Sequence, residues 1–136
     1  MRVLLLAMAV CIGLAGCSSK EDIAKAEAAV DQFHKELNAS EFDKIYDESS
    51  DGMKANASQE KLTKLLSAVH RKLGAFQSGK STGWKVTAGT SGTIVTLGYT
   101  TTYERGEANE TFIFKVVADK ALLQGYNVNS NDLIEN

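Results

Sequence analysis

Hydrophobic and polar residues alternate along residues 93–117, and the rest of the chain must be built around that stretch. In the first run Val95, Leu97, Tyr99, Thr101 and Tyr103 fall on one face, with Thr96, Gly98, Thr100 and Thr102 on the other. In the second run Phe112, Phe114 and Val116 alternate with Thr111, Ile113 and Lys115. A period of two in β-branched and aromatic residues predicts two half-buried strands. The polar link 104–108 carries Gly106 where a hairpin needs positive φ. A hairpin alone is marginal in water, so its apolar face needs a cover. Trp84, Val86 and Ala88 predict a strand before it, turned by 89–92, and residues 121–129 a strand after it, turned by 118–120. Leu123 and Tyr126 are three apart, so keeping both inside needs a bulge near Gly125.

Upstream the period changes to that of a helix. In residues 21–38, Ile23, Ala26, Val30, Phe33 and Leu37 recur at threes and fours, Glu21 and Asp22 suit the start, and Ser19 with Asp22 forms a variant of the capping box. Ser40 caps a short second helix carrying Phe42, Ile45 and Tyr46. Residues 48–52 read as a turn. A third helix runs from Ser58 to Leu73, with Leu62, Leu65, Leu66, Val69 and Leu73 as its stripe and Gly74 at its C-terminal stop. Residues 130–136 read as a frayed tail. Three helices followed by four antiparallel strands is an α+β order.

Composition suits one modest core: 136 residues, 43% hydrophobic and 24% charged, with a formal charge of −2. There is no basic excess to suggest nucleic acid. Both cysteines, Cys11 and Cys17, lie near the N-terminus, so the folded part has neither a disulfide framework nor a thiolate metal site.

Arg2 followed by an apolar run over residues 3–13 is an export signal; the run is shorter than the ~20 residues a spanning helix needs. It ends in Leu14-Ala15-Gly16-Cys17, which resembles the bacterial lipobox. The resemblance implies cleavage after residue 16, acylation of Cys17 and anchoring in a lipid bilayer. Ser18 after the cysteine implies the outer membrane, facing the periplasm, where a cell has two membranes. Processing removes Arg2 and takes the formal charge from −2 to −3. The expected layout is a leader over 1–16, a lipidated Cys and short tether over 17–22, and one α+β domain over 23–136. A tether of about four residues reaches roughly 14 Å, so the domain should lie against the membrane.

A long amphipathic helix, two shorter ones and a closing meander resemble the cystatin-like and nuclear-transport-factor-2-like superfamily. The ending Leu123-Gln124-Gly125-Tyr126-Asn127-Val128-Asn129-Ser130 resembles the last strand of small bacterial lipoproteins carrying a domain of unknown function in that group. The resemblance implies a sheet wrapped on the first helix, with room for a pocket between them. Some members are isomerases or dehydratases; many are binding or accessory domains.

Residues 74–81, GAFQSGKS, satisfy the phosphate-loop string, but that mechanism needs a strand before and a helix after it. Here the order is inverted, so no nucleotide is expected. His34 and His70 are 36 apart with no ligand spacing around them, and read as boundary histidines making ordinary hydrogen bonds rather than metal ligands. No nucleophile motif occurs in the domain. Tyr46, Tyr99, Tyr103 and Asp43 are the candidates to line a pocket for acid–base chemistry, though tyrosines on an apolar face usually belong to the core.

Charge is segregated. Residues 18–53 hold 4 Lys/Arg against 10 Asp/Glu, and residues 54–85 hold 7 against 1. Either the basic third helix pairs with the acidic first two, or Lys61, Lys64, Arg71 and Lys72 form a face toward anionic lipid or cell-wall polymer. Thr87, Thr96, Thr100, Thr102 and Thr111 form a threonine face, either a plain polar exterior or a flat surface for a partner or a second copy. The sequence therefore leads to a membrane-anchored envelope module, non-catalytic and without a cofactor, that binds an envelope protein or a small ligand. The alternatives are a pocket isomerase or dehydratase and a homodimer through the sheet face.

Overall fold

The computed structural model describes residues 15–135. The export leader expected over 1–16 falls mostly outside the described residues. Helices α1 (Ala15–Asn38), α2 (Phe42–Asp47), α3 (Asp51–Asn56) and α4 (Gln59–Leu73) precede strands β1 (Phe76–Gly89), β2 (Gly92–Tyr103), β3 (Gly106–Val117) and β4 (Lys120–Asn129), and α5 (Asn131–Glu135) closes the chain. The strands form one antiparallel meander in sequence order. The α+β order read from the sequence is the order adopted.

The stripe of α1 lies across all four strands. Ala26, Val30, Phe33 and Leu37 pack on Val95, Leu97, Phe112, Phe114 and Leu123, with Leu62, Leu66, Val69 and Leu73 of α4 completing the core. Ser58 caps α4 by accepting from Lys61 N, and Gly74 at φ +80° ends it, a conformation that favours glycine. The expected bulge forms in β4: Ile113 pairs with Gly125 and Phe114 with Leu123, so Gln124 is the extra residue.

Several expectations are corrected. α1 starts at Ala15, so the expected tether 17–22 is helical and the Ser19 capping box does not form, because Ser19 lies inside the helix. Nothing in residues 17–21 stops a helix, and the run continues N-terminally. Residues 48–50 do turn, but Ser50 then accepts from Met53 N at 3.1 Å and opens α3, anchored by buried Met53. Turn residues and N-cap residues are the same residue types. The β2–β3 link closes to two residues, Glu104 and Arg105, with Tyr103 paired to Gly106. Gly106 has the expected positive φ, at 159°, and a Cβ there would also stand 2.5 Å from the Asp132 carboxyl. β1 begins at Phe76 instead of near Trp84, with register shifts at Gln77 and Thr82. Its polar, glycine-containing first half is held by pairing with β2, not by any apolar alternation. The C-terminal tail docks as α5: Leu133 N bonds to Ser130 Oγ, and Lys72 Nζ donates to Leu133 O at 2.9 Å. His34 is not at the boundary but in the core, 3% exposed.

His34 is there because β3 turns a carboxylate inward. Glu110 is 0% exposed and shares the apolar face of β3 with Ala108, Phe112 and Phe114. His34 Nε2 and the Tyr103 hydroxyl each stand 3.0 Å from its Oε1, and the Tyr126 hydroxyl donates to Oε2 at 2.5 Å. A carboxylate only accepts, so His34 Nε2 carries the proton in this bond. Thr101, buried alongside, donates to Ala108 O. Phe76 stacks on the His34 ring at 3.7 Å, and Phe33 and Phe112 meet it edge-on. Burial by itself would push the Glu110 carboxyl up. The bond and charge of His34, with Tyr126 and Thr101, outweigh it and hold Glu110 below its ordinary value. Burial, then the Glu110 charge, drives the Tyr103 and Tyr126 phenols well up.

Removing the carboxylate orphans three buried partners. Glu110→Ala should destabilise the fold by about 3–5 kcal/mol in urea titrations, as when one member of a buried charged set is deleted. Glu110→Gln, which keeps the shape and an acceptor, should lose less. A folded-state value below the usual 4.5 means Glu110 stabilises above that pH and ceases to as pH falls through the folded value. Wild-type stability should therefore drop on the acid side, and the drop should shrink in Glu110→Gln. The raised tyrosines act in the opposite sense: their contribution is complete below the ordinary value of 10.0 and is lost as pH rises above it. In an alkaline absorbance titration, Tyr103 and Tyr126 should ionise only together with unfolding.

Candidate functional site

Between α1, α2 and the β3–β4 end of the sheet lies a cleft of about 90 Å³, lined by Phe33, Ile45, Phe114 and Leu123 with the carboxyls of Glu36 and Glu48. α1 delivers Glu36 because it follows Phe33 by three positions on the same side of the helix. Glu36 is 4% exposed. Its Oε1 accepts from Gln32 Nε2 at 2.8 Å and faces Lys44 Nζ at 3.5 Å, and Lys44 also reaches Glu41 at 3.6 Å. Glu36, then Glu41, raise the Lys44 ammonium. Burial, then the Glu36 carboxyl bonded to it, push the Glu48 carboxyl up. The arrangement is two carboxyls bordering one cleft, with a lysine beside Glu36, in space for a few waters.

A second hollow, of about 400 Å³, opens at the other end of the sheet between β3, β4 and α5. Thr100, Asn109, Asn129, Ser130, Asn131 and Asp132 are among its lining residues. Thr100 Oγ1 donates to Asn109 Oδ1 at 3.1 Å, Ser130 Oγ to Glu107 O at 2.5 Å, and Glu107 N to Asp132 Oδ2 at 3.2 Å. Amides and hydroxyls held in this way suit hydrogen bonding to a polar ligand, and the size falls in the range of small-molecule sites.

The four expected pocket residues are dispersed. Tyr103 is buried on Glu110. Tyr99 is half-buried, its phenol raised by burial and then by Glu27 and Asp31 of α1. Tyr46 lies under Lys54 Nζ, 5.9 Å from the ring centre. Asp43 is exposed and accepts from Gln59 at 3.0 Å and Thr63 at 3.4 Å, tying α2 to α4. None of the four lines either hollow.

The basic residues of α4 do not pair with α1 or α2, so the expected charge pairing is not what joins them; among the described residues no ion pair crosses that contact. Lys64 pairs with Glu60 of its own helix at 2.8 Å, and Lys61 is exposed. Lys72 reaches α5, and Arg105 donates to the carbonyls of Arg71 and Lys72, satisfying the end of α4. His70 packs against Phe42 with its Nδ1 enclosed and without a partner. Lys80 is exposed in mid-β1 opposite Thr100, so the phosphate-loop string is strand. Among the described residues no three His, Cys, Asp or Glu side chains gather as a metal requires. Trp84 is 64% exposed on the edge strand β1.

Sequence reasoning missed Glu36, Glu48 and Glu110 and placed His34 at the boundary. Two of them carried a signal: Glu110 has the parity of Phe112 and Phe114, and His34 sits four after Val30 and three before Leu37.

A search of the curated proteins finds no match for the chain. Residues 30–120 match the family described as "Protein of unknown function (DUF3887)", a span from the middle of α1 to the start of β4. That is well over half of the sequence, and the chain belongs to this family.

Proposed function

We propose that the chain is a membrane-anchored envelope lipoprotein whose folded part is a non-catalytic binding or accessory module of the cystatin-like and nuclear-transport-factor-2-like kind. The lipobox resemblance at residues 14–17 supports the anchor. The observation that carries the binding reading is how the space between α1 and the sheet is used. Phe33, Phe76, Phe112 and Tyr126 fill it, and the groups suited to acid–base work there, Glu110, His34, Tyr103 and Tyr126, are bonded to one another. What is left beside Phe33, about 90 Å³, is below the few hundred Å³ of an ordinary ligand site. Recognition then falls to the amide- and hydroxyl-lined hollow of β3, β4 and α5.

A second reading, a pocket acid–base enzyme, is favoured by one observation: Glu48, its carboxyl raised, borders an open cleft. The two readings separate experimentally. A photo-crosslinking residue at Asn109 or Asn129 should capture an envelope partner in intact cells, and Glu48→Gln should leave that capture unchanged. Capture that fails from both asparagine positions, or that is lost in Glu48→Gln, moves the site to the cleft.

Anchoring has its own test. Cells fed labelled palmitate should label the wild-type protein and not Cys17→Ser, and the variant should leave the membrane fraction. Label retained on Cys17→Ser overturns the anchor.

A further inference from the structure

The direction in which α1 crosses the sheet decides which end of the domain an anchor at Cys17 holds. In its first half, Lys25 Nζ lies 3.9 Å from Asp119 in the β3–β4 turn. At its end, Asn38 bonds the Phe76 backbone in both directions, Phe76 N donating to Oδ1 at 2.8 Å and Nδ2 donating to Phe76 O at 3.2 Å. In an antiparallel meander the β1–β2 turn at Thr90 and Ser91 shares an end with the Ala118–Asp119 turn. The Glu104–Arg105 turn, the last turn of α4 and α5 occupy the other end.

We infer that the end formed by the turns at residues 90–91 and 118–119 is the end that faces the phospholipid bilayer, and that the end carrying Arg105, Arg71 and α5 stands farthest from it. This rests on the proposed acylation of Cys17. α1 is continuous through that residue, so the cysteine precedes Lys25 by about 12 Å of helix axis. β3 then carries the far turn roughly 35 Å beyond the near one. The near end has the chemistry of a headgroup contact. Val117 is 42% exposed beside Ala118, Lys25 reaches the same turn at Asp119, Lys120 follows that turn in the chain, and Lys20 lies on α1 between Cys17 and Lys25. Glu21, Asp22 and Asp119 offset those charges, so the protein surface orients and the acyl chains supply the affinity.

The placement changes what the basic residues can do. Arg71 and Lys72 lie at the far end, so the anionic-lipid contact considered for α4 is out of their reach while the anchor is set. The hollow lined by Thr100, Asn109, Asn129 and Asp132 faces away from the bilayer, open to an envelope partner.

The test uses isotope-labelled protein beginning at Cys17, with that thiol coupled to a maleimide phospholipid in bilayer nanodiscs doped with a gadolinium-headgroup lipid. The amide signals of Thr90, Ser91, Ala118 and Asp119 should be lost to paramagnetic broadening, while those of Glu104, Arg105 and Asp132 persist. Equal broadening at both ends, or loss at Glu104 and Arg105 first, overturns the inference. The coupling is chemical, so this outcome is independent of whether cells acylate Cys17, which the palmitate experiment decides.

Discussion

A carboxylate with no exposure to water is the constraint around which this fold is arranged. An uncompensated buried charge is far too costly to keep, so Glu110 dictates where its partners must be. His34 must come from α1, Tyr103 from the end of β2 and Tyr126 from β4. Those three positions fix the rotation of α1 about its axis, the pairing of β2 with β3, and the bulge at Gln124 that turns Leu123 and Tyr126 inward together. Apolar burial supplies most of the stability, but it is tolerant of small rotations and slips. The hydrogen-bonded cluster is not, and we regard it as the source of a single register.

The strongest sequence signals were those in which several local devices agreed. α4 was legible because Ser58, its leucine stripe and Gly74 marked start, face and stop together. The β2–β3 hairpin was legible from alternation alone, and the bulge from the odd spacing of Leu123 and Tyr126. Other parts were hidden for physical reasons. The first half of β1, residues 76–83, is exposed on an edge strand, so no alternation is required of it and none is present. α3 and α5 are short and depend on Ser50 and Ser130, whose caps read equally well as turns. Among the candidate residues, Tyr103 was expected as a pocket wall and is bonded to Glu110 in the core; Glu110 itself fell between the expected link and the second run and was assigned to neither. Glu36 and Glu48 come together only through the packing of α2 on α1, which no local pattern encodes.

These features divide the molecule by role. The aromatic and polar centre holds α1 on the sheet and leaves little space beside it. The proposed anchor enters at one end of that helix, and the hydrogen-bonding hollow sits at the other end of the sheet. Such an arrangement suits a module that is fixed at the membrane and reads something beyond it, with the distance set by the length of β3. The exposed Trp84 lies on β1, along the side of this axis and not at its tip.

We regard the Glu110 cluster as sealed structure rather than a working site, and the reactivity of His34 tests that reading. Diethyl pyrocarbonate treatment of the native protein, followed by peptide mass spectrometry, compares His34 with half-buried His70. His34 should be modified no faster than the protein globally unfolds. Modification of His34 at the rate of a free imidazole, in protein that remains folded, would contradict it.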